Sequence, residues 1–312
     1  MTLDVHASEL NSQVDAFFGY LRRLGKSPNT ITRWRPELAL FVEWAAGRGL
    51  GEMSGRDLAL DYLTWWHARF EARRGRTPSL NSVRAATQAV KSFFDFCERF
   101  DYLVDGEGRL LPNPAKALEL PTIPVKGELD WLQAEDDARL LGIWMNERER
   151  VQVFFLRMTG LRLTEALTLL NRDVDVAARS IQVRESKTPS GYRSIPIMNE
   201  LNGHIVAWRS FAATLGVHGP DSPFLVTRKG TRLTPQQVET TVDRVAVRAG
   251  LGRKVTPHTL RRTFGSDLLN KGVRLEVVSK LLGHSSTAVT ERCYARLQDE
   301  TIRDEMLKAL IA

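Results

Sequence analysis

Cysteine is almost absent, with Cys97 and Cys293 the only two in 312 residues. Two thiols so far apart build no disulfide framework and match no metal-ligand spacing, which points to a reducing compartment. Cys293 reads as a small packed residue rather than a redox group. Histidine is nearly as scarce, six in all. No carboxylate cluster stands at ligand spacing beside any of them, so metal-assisted hydrolysis is disfavoured and no cofactor is expected. No apolar run approaches the ~20 residues needed to cross a bilayer. The opening MTLDVHASEL carries acidic residues and no apolar signal core. No membrane partner is expected, and the expected location is cytoplasmic.

Acidic residues are outnumbered. Forty-four Lys and Arg against 37 Asp and Glu give a formal net charge of +7 and a pI near 9.6, which suits a polyanionic partner without requiring one. A composition 26% charged and 43% hydrophobic excludes a disordered basic tail and implies a folded binder. The length suits two domains, each with its own core.

From Glu9 to Tyr102 the apolar residues recur at helical spacing: Val14, Phe17, Phe18 and Leu21; Leu38, Phe41, Val42 and Trp44; Tyr62, Leu63 and Trp66; Val90, Phe93, Phe94 and Phe96. These stripes are core. Ser27-Pro28-Asn29 and Thr77-Pro78-Ser79 each open a helix. The exposed faces of those helices are basic, with Arg33 and Arg35 on one and Arg84 and Lys91 on the other. The turn-rich Asp105-Gly106-Glu107-Gly108, followed by Pro112-Asn113-Pro114 and Pro121-Thr122-Ile123-Pro124, has no periodicity and reads as a linker. The expected division is 1–103, a linker over 104–127, and 128–312.

In the second part a buried helical run from Val151 to Met158 ends at Gly160, and Thr164 is a candidate cap for the next helix with Glu165 in its first turn. Arg162 then lies beside a positive helix end, a ready anion site. Ser180–Arg184 and Tyr192–Ile197 alternate like strands around the bend Lys187-Thr188-Pro189-Ser190-Gly191, so Lys187 stands on a hairpin. Helices are expected near Asn199–Leu215 and Pro235–Ala249.

Between Val255 and Leu297 the chain reads VTPHTLRRTF, LLGHSS and TERCYARL. Thr256 caps a helix, Pro257 fits its first turn, and His258 and Arg261, three apart, share a face. A second helical run through Val277, Val278, Leu281 and Leu282 stops at Gly283, which throws His284 out of the helix. Tyr294 lies between Arg292 and Arg296. Singly, each has an ordinary reading: a surface pair, a capping histidine, a half-buried tyrosine anchored through its hydroxyl. Their co-occurrence with TGLRLTE and a hairpin lysine is what needs explaining.

The set TGLRLTEAL, ESKTPSGYRSIPI, HTLRRTF, LGH and CYARL resembles the tyrosine recombinases of the phage integrase family in identity, order and approximate spacing, over essentially the whole chain. The resemblance implies a mainly α fold: a helical N-terminal DNA-binding domain, then a larger α-rich catalytic domain with a small antiparallel β-sheet. It implies site-specific recombination through a 3′-phosphotyrosine intermediate, without metal or ATP. The partners implied are double-stranded DNA with a specific site and other copies of the chain, four on two sites. Tyr294 becomes the nucleophile. Arg162, Arg261 and His284 become donors to the phosphate, where developing charge rewards fixed cations. His258 becomes the base and Lys187 a minor-groove residue acting as general acid, while Glu165 holds the basic groups in place. Arg33, Arg35, Arg84 and Lys91 become candidate DNA contacts. No extra N-terminal module precedes them, which argues against the subgroup that binds separate arm sites. The segment from Thr301 to Ala312, with Ile302, Met306, Leu307, Leu310 and Ile311 at helical spacing, is expected to dock either on a neighbouring protomer or on its own domain. Two rivals remain open at this point: a type IB topoisomerase, with similar chemistry but no partner duplex, and a non-enzymatic DNA-binding regulator.

Overall fold

The computed structural model describes residues 2–45, 48–123, 131–184, 192–284, 286, 287, 290 and 291. Lys187, Arg292, Cys293, Tyr294, Arg296, the end of the expected linker (124–127) and the segment from Thr301 to Ala312 lie outside the described residues. The chain divides into two compact units, Met1–Lys126 and Gly127–Ala312.

The first unit is built from α1 (Thr2–Arg23), α2 (Pro28–Trp44), α3 (Leu63–Arg74) and α4 (Leu80–Arg99). Ser27 caps α2 by accepting from the Thr30 N–H at 3.2 Å, and Ser79 caps α4 by accepting from Ser82 at 3.2 Å. The helical stripes meet in an aromatic core. Phe41 sets its ring edge-on to Tyr62 and Phe94 at centroid distances of 5.5 and 5.6 Å, a geometry worth about 0.5–1.5 kcal/mol per pair beyond area burial.

The basic faces of this unit differ from expectation. Arg33 and Arg35 are two residues apart, roughly 200° around a helix, and do not share a face. Both are exposed, and Arg35 lies over the Phe18 ring of α1 at 4.5 Å and within 3.7 Å of Asp15. Lys91 donates to the carbonyls of Ala115 and Leu118, both at 2.8 Å, and Arg84 donates to that of Pro121 at 3.0 Å. Both of these basic side chains of α4 therefore bond to their own chain, Arg84 while staying exposed and Lys91 partly buried. Residues read as the start of a linker belong to this packing: Ala115 and Leu118 are buried, and Asn113 donates to Asp95 and Glu98. A proline-rich stretch without periodicity looks like a spacer in sequence, but single apolar residues suffice to dock it.

The second unit comprises α5 (Ala134–Gly142), α6 (Glu147–Thr159), α7 (Leu163–Thr168), the strands β1 (Val174–Asp175), β2 (Ser180–Val183) and β3 (Arg193–Pro196), then α8 (Asn199–Thr214), α9 (Pro235–Arg248), α10 (Pro257–Asn270) and α11 (Leu275–Leu282). The sheet is antiparallel in the order β1-β2-β3, with Ile181 opposite Ile195 and Val183 opposite Arg193. Helix α6 packs between α8 and α10, and its core side chains, Val151 and Val153 through Leu156, are buried. The buried Arg157 on α6 donates to both oxygens of Asp137 on α5, at 2.8 and 2.7 Å, and also pairs with Asp267 on α10. The Leu132 N–H donates to Thr263 on α10 at 2.9 Å. These contacts fix α10 where the site needs it.

Gly160 ends α6 with a left-handed φ of 61°. A β-carbon there would overlap the Phe264 ring and come within 3.0 Å of Leu282 Cδ2. Gly160→Ala should therefore combine a left-handed penalty of about 1 kcal/mol with overpacking of about 1–3 kcal/mol. Urea unfolding should show a loss of about 2–4 kcal/mol, and a loss below 1 would contradict the packing described here.

Candidate active site

Four elements meet at the C-terminal end of α11. Helices leave their last carbonyls without intrahelical partners, and cations are favoured there by the helix dipole. Three arginines answer three successive carbonyls: Arg193 Nε donates to Leu281 O at 2.6 Å, Arg261 Nη2 to Leu282 O at 2.5 Å, and Arg162 Nη2 to Gly283 O at 2.6 Å. Each arginine comes from a different place, β3, α10 and the entry to α7. Arg261 also donates to Gly160 O at 2.6 Å, closing the link between the end of α6 and the end of α11.

Glu165 is 3% exposed and lies between two of these guanidiniums. Its Oε1 accepts from Arg162 Nη1 at 2.7 Å and Arg193 Nη1 at 3.3 Å; its Oε2 accepts from the Arg162 backbone N–H and Arg193 Nη2, both at 2.9 Å. Burial pushes its pKa up, but the hydrogen bonds and charge of Arg193, followed by those of Arg162, outweigh it and hold the carboxyl below its ordinary value. The expected cap at Thr164 is not the one used. Arg162 occupies the cap position of α7 and Glu165, three residues on, reaches back to its N–H, so the same contact that starts the helix aims Arg162. Of the three arginines Arg162 is the one with its side chain substantially open, 33% exposed; those of Arg193 and Arg261 are nearly enclosed.

His284 follows Gly283, whose φ of 64° turns the chain out of α11 as the sequence suggested. Its Nδ1 is hydrogen-bonded to Thr290 Oγ1 at 2.8 Å. Burial, then the charges of Arg261, Arg162, Arg193 and His258, push its pKa down to about 4. The ring is neutral at pH 7, first because it is buried and then because the charge around it is positive. His258 is exposed at the first turn of α10, where Thr256 caps the helix by accepting from Thr259 at 3.1 Å. The Nε2 of His258 lies 3.1 Å from Arg262 Nε, which donates to it.

The depressed His284 has a stability consequence. The unfolded ring, with a pKa near 6.5, takes up its proton before the folded one. Stability from this group is complete above pH about 6.5 and lost as pH falls toward 4, by at most about 1.4 kcal/mol per unit and less where water screens the site. His284→Gln should flatten the fall in unfolding free energy between pH 6.5 and 4.5; parallel curves for variant and wild type would contradict the burial and charge assigned to it.

Arg162, Glu165, His258, Arg261 and His284 thus come to one region, while Lys187 and Tyr294 lie outside the described residues. Arg193 is the residue that sequence reasoning missed. Among the described residues no group of three or more His, Cys, Asp or Glu could hold a metal ion, and no helix is long and apolar enough to cross a membrane.

Comparison with known proteins agrees with this geometry. The phage integrase family profile matches residues 130–301. The chain is 31% identical over 308 residues to the tyrosine recombinase XerA of Thermococcus kodakarensis, spanning 97% of this chain and 96% of that one. It is 28% identical over 315 residues to the tyrosine recombinase XerC of Oceanobacillus iheyensis, spanning 97% of each. The fold is similar to that of the XerH site-specific recombinase in a post-cleavage complex with palindromic difH substrate, with a TM-score of 0.69 at 21% identity over 89% of this chain and 80% of that one. It is also similar to a lambda integrase dimer bound to a COC′ core site, with a TM-score of 0.67 at 16% identity over 91% and 94%. Recombinase relatives matching along nearly their whole length disfavour the topoisomerase and the non-enzymatic regulator alike. The chain belongs to the phage integrase family and is a tyrosine recombinase, an enzyme that cleaves and rejoins DNA at specific sites.

Proposed function

We propose that the protein exchanges strands between two copies of one double-stranded DNA site, as a tetramer, in the cytoplasm. Tyr294 attacks the scissile phosphate, forming a 3′-phosphotyrosine and releasing a 5′-hydroxyl. The energy of the broken ester is kept in the new one, so rejoining needs neither ATP nor metal. His258 takes the tyrosine proton once the incoming duplex displaces Arg262 from its Nε2, and Lys187 delivers a proton to the departing 5′ oxygen. Arg162, Arg261 and His284 donate to the non-bridging oxygens, whose charge grows in the transition state. Glu165 orients Arg162. In the first unit Arg33, Arg35, Arg84 and Lys91 are the candidate DNA contacts, the first three exposed and Lys91 partly buried.

One observation carries the reading: three guanidiniums from three separate elements converge on the end of α11, two of them sharing the buried carboxylate of Glu165, beside a histidine whose pKa burial and their charge together push down. An excess of fixed positive charge in a site with one open arginine is what a phosphodiester transition state requires and what a purely structural cluster would neutralise.

Two differently labelled duplexes carrying the site, incubated with the protein, should yield exchanged products, while a supercoiled plasmid without the site stays supercoiled. Relaxation of that plasmid as fast as one bearing the site, with no exchanged product, would contradict the proposal.

A further inference from the structure

Arg193 stands on the last described rung of the β2–β3 ladder, opposite Val183. Its side chain is 8% exposed. Two of its nitrogens hold Glu165 on α7 and the third holds Leu281 O at the end of α11, so one planar group joins β3, the helix that presents Arg162 and the helix end that presents His284. Each Glu165 oxygen takes one donor from Arg193 and one from Arg162. A buried carboxylate missing half of these donors would seek replacements, and the nearest mobile donor is the Arg162 guanidinium, which would rotate away from Gly283 O and from an incoming phosphate.

We propose that Arg193 is a positioning residue for strand cleavage: by sharing Glu165 it fixes where Arg162 points, and by binding Leu281 O it registers β3 against the end of α11. Arginine is required because a fork satisfies a carboxylate and a carbonyl in fixed relative directions, which the point charge of lysine does not reproduce. The inference rests on the assignment of Arg162 to the scissile phosphate. Arg193 is held by Glu165 and Leu281 O, so it acts on the reaction through these neighbours.

The test is single-turnover cleavage of a nicked site duplex by the full-length protein in excess, with Arg193→Lys, Glu165→Gln and the double variant. Site binding is measured on the same set carrying Tyr294→Phe. Arg193→Lys should lower the first-order cleavage constant by about 10- to 10²-fold, the cost of misplacing a group by about an ångström, with the dissociation constant changed less than about twofold. The double variant should be no slower than the slower single one, because both changes release the same guanidinium. A first-order constant does not depend on the fraction of protein folded, so a destabilised variant still reports, and Arg193→Gln provides a second reading. The proposal is overturned if cleavage by Arg193→Lys stays within twofold of wild type whatever its melting temperature, if the single losses multiply in the double variant, or if binding weakens in step with rate. Wild type that forms no adduct would overturn the parent reading and this one with it, whereas active wild type beside an unaffected Arg193→Lys overturns this one alone.

Discussion

Arg261→Ala is expected to slow strand cleavage by about 10²- to 10³-fold, the loss associated with removing one fixed donor to a developing oxyanion. Arg261 is buried and its guanidinium joins Gly160 O to Leu282 O, so the charge is placed by backbone on both sides and does not reorganise when the phosphate arrives. The same substitution leaves two buried carbonyls without this donor, at about 1–3 kcal/mol each, so unfolding free energy should fall together with activity. Arg261→Lys should recover little, because one ammonium cannot bridge both carbonyls. Single-turnover kinetics measured well below the melting temperature separate the two losses. Cleavage by Arg261→Ala within tenfold of wild type would remove Arg261 from the phosphate site.

Lys187→Ala is expected to slow cleavage by about 10²- to 10⁴-fold, the range for a lost general acid. An alkoxide leaves poorly near neutral pH, whereas a thiolate, whose conjugate acid has a pKa near ~8.5, leaves without a proton. A substrate with sulfur in place of the bridging 5′ oxygen should therefore restore most of the rate to Lys187→Ala and little to Arg261→Ala. Sulfur rescue of both variants to the same extent, or of neither, would make Lys187 a phosphate-positioning charge and leave His258 as the next candidate acid.

Much of the catalytic unit is legible in sequence because its signals are local. Thr256-Pro257, Gly160 and Gly283 mark helix ends by residue type alone, and the structure uses each of them as such. The convergence of Arg162, Arg261 and His284 on the end of α11 is long-range, and it came from the family's order of motifs, which periodicity does not supply. Arg193 was missed although a signal exists. In YRSIPI it alternates with Ile195 and Ile197, both buried, and a charge on the inward face of a strand needs a buried partner. The cap of α7 was misplaced because threonine is the better capping residue, while the contact that matters is a glutamate reaching back to an arginine N–H. The intrachain bonds of Arg84 and Lys91 were not legible for a different reason. Their partners, at Pro121, Ala115 and Leu118, lie in a stretch without periodicity, and nothing in a helical pattern says which surface an irregular segment will cover.

On the proposed mechanism this cationic cluster serves a tyrosine nucleophile at Tyr294. A site duplex nicked so that the short 5′-hydroxyl fragment diffuses away cannot be religated, so the protein should accumulate on it as a denaturant-stable adduct. Proteolysis of that adduct should leave the DNA attached to the peptide containing Tyr294, and Tyr294→Phe should bind the duplex and yield no adduct. An adduct formed at the wild-type rate by Tyr294→Phe, or DNA attached to any other peptide, would contradict the account.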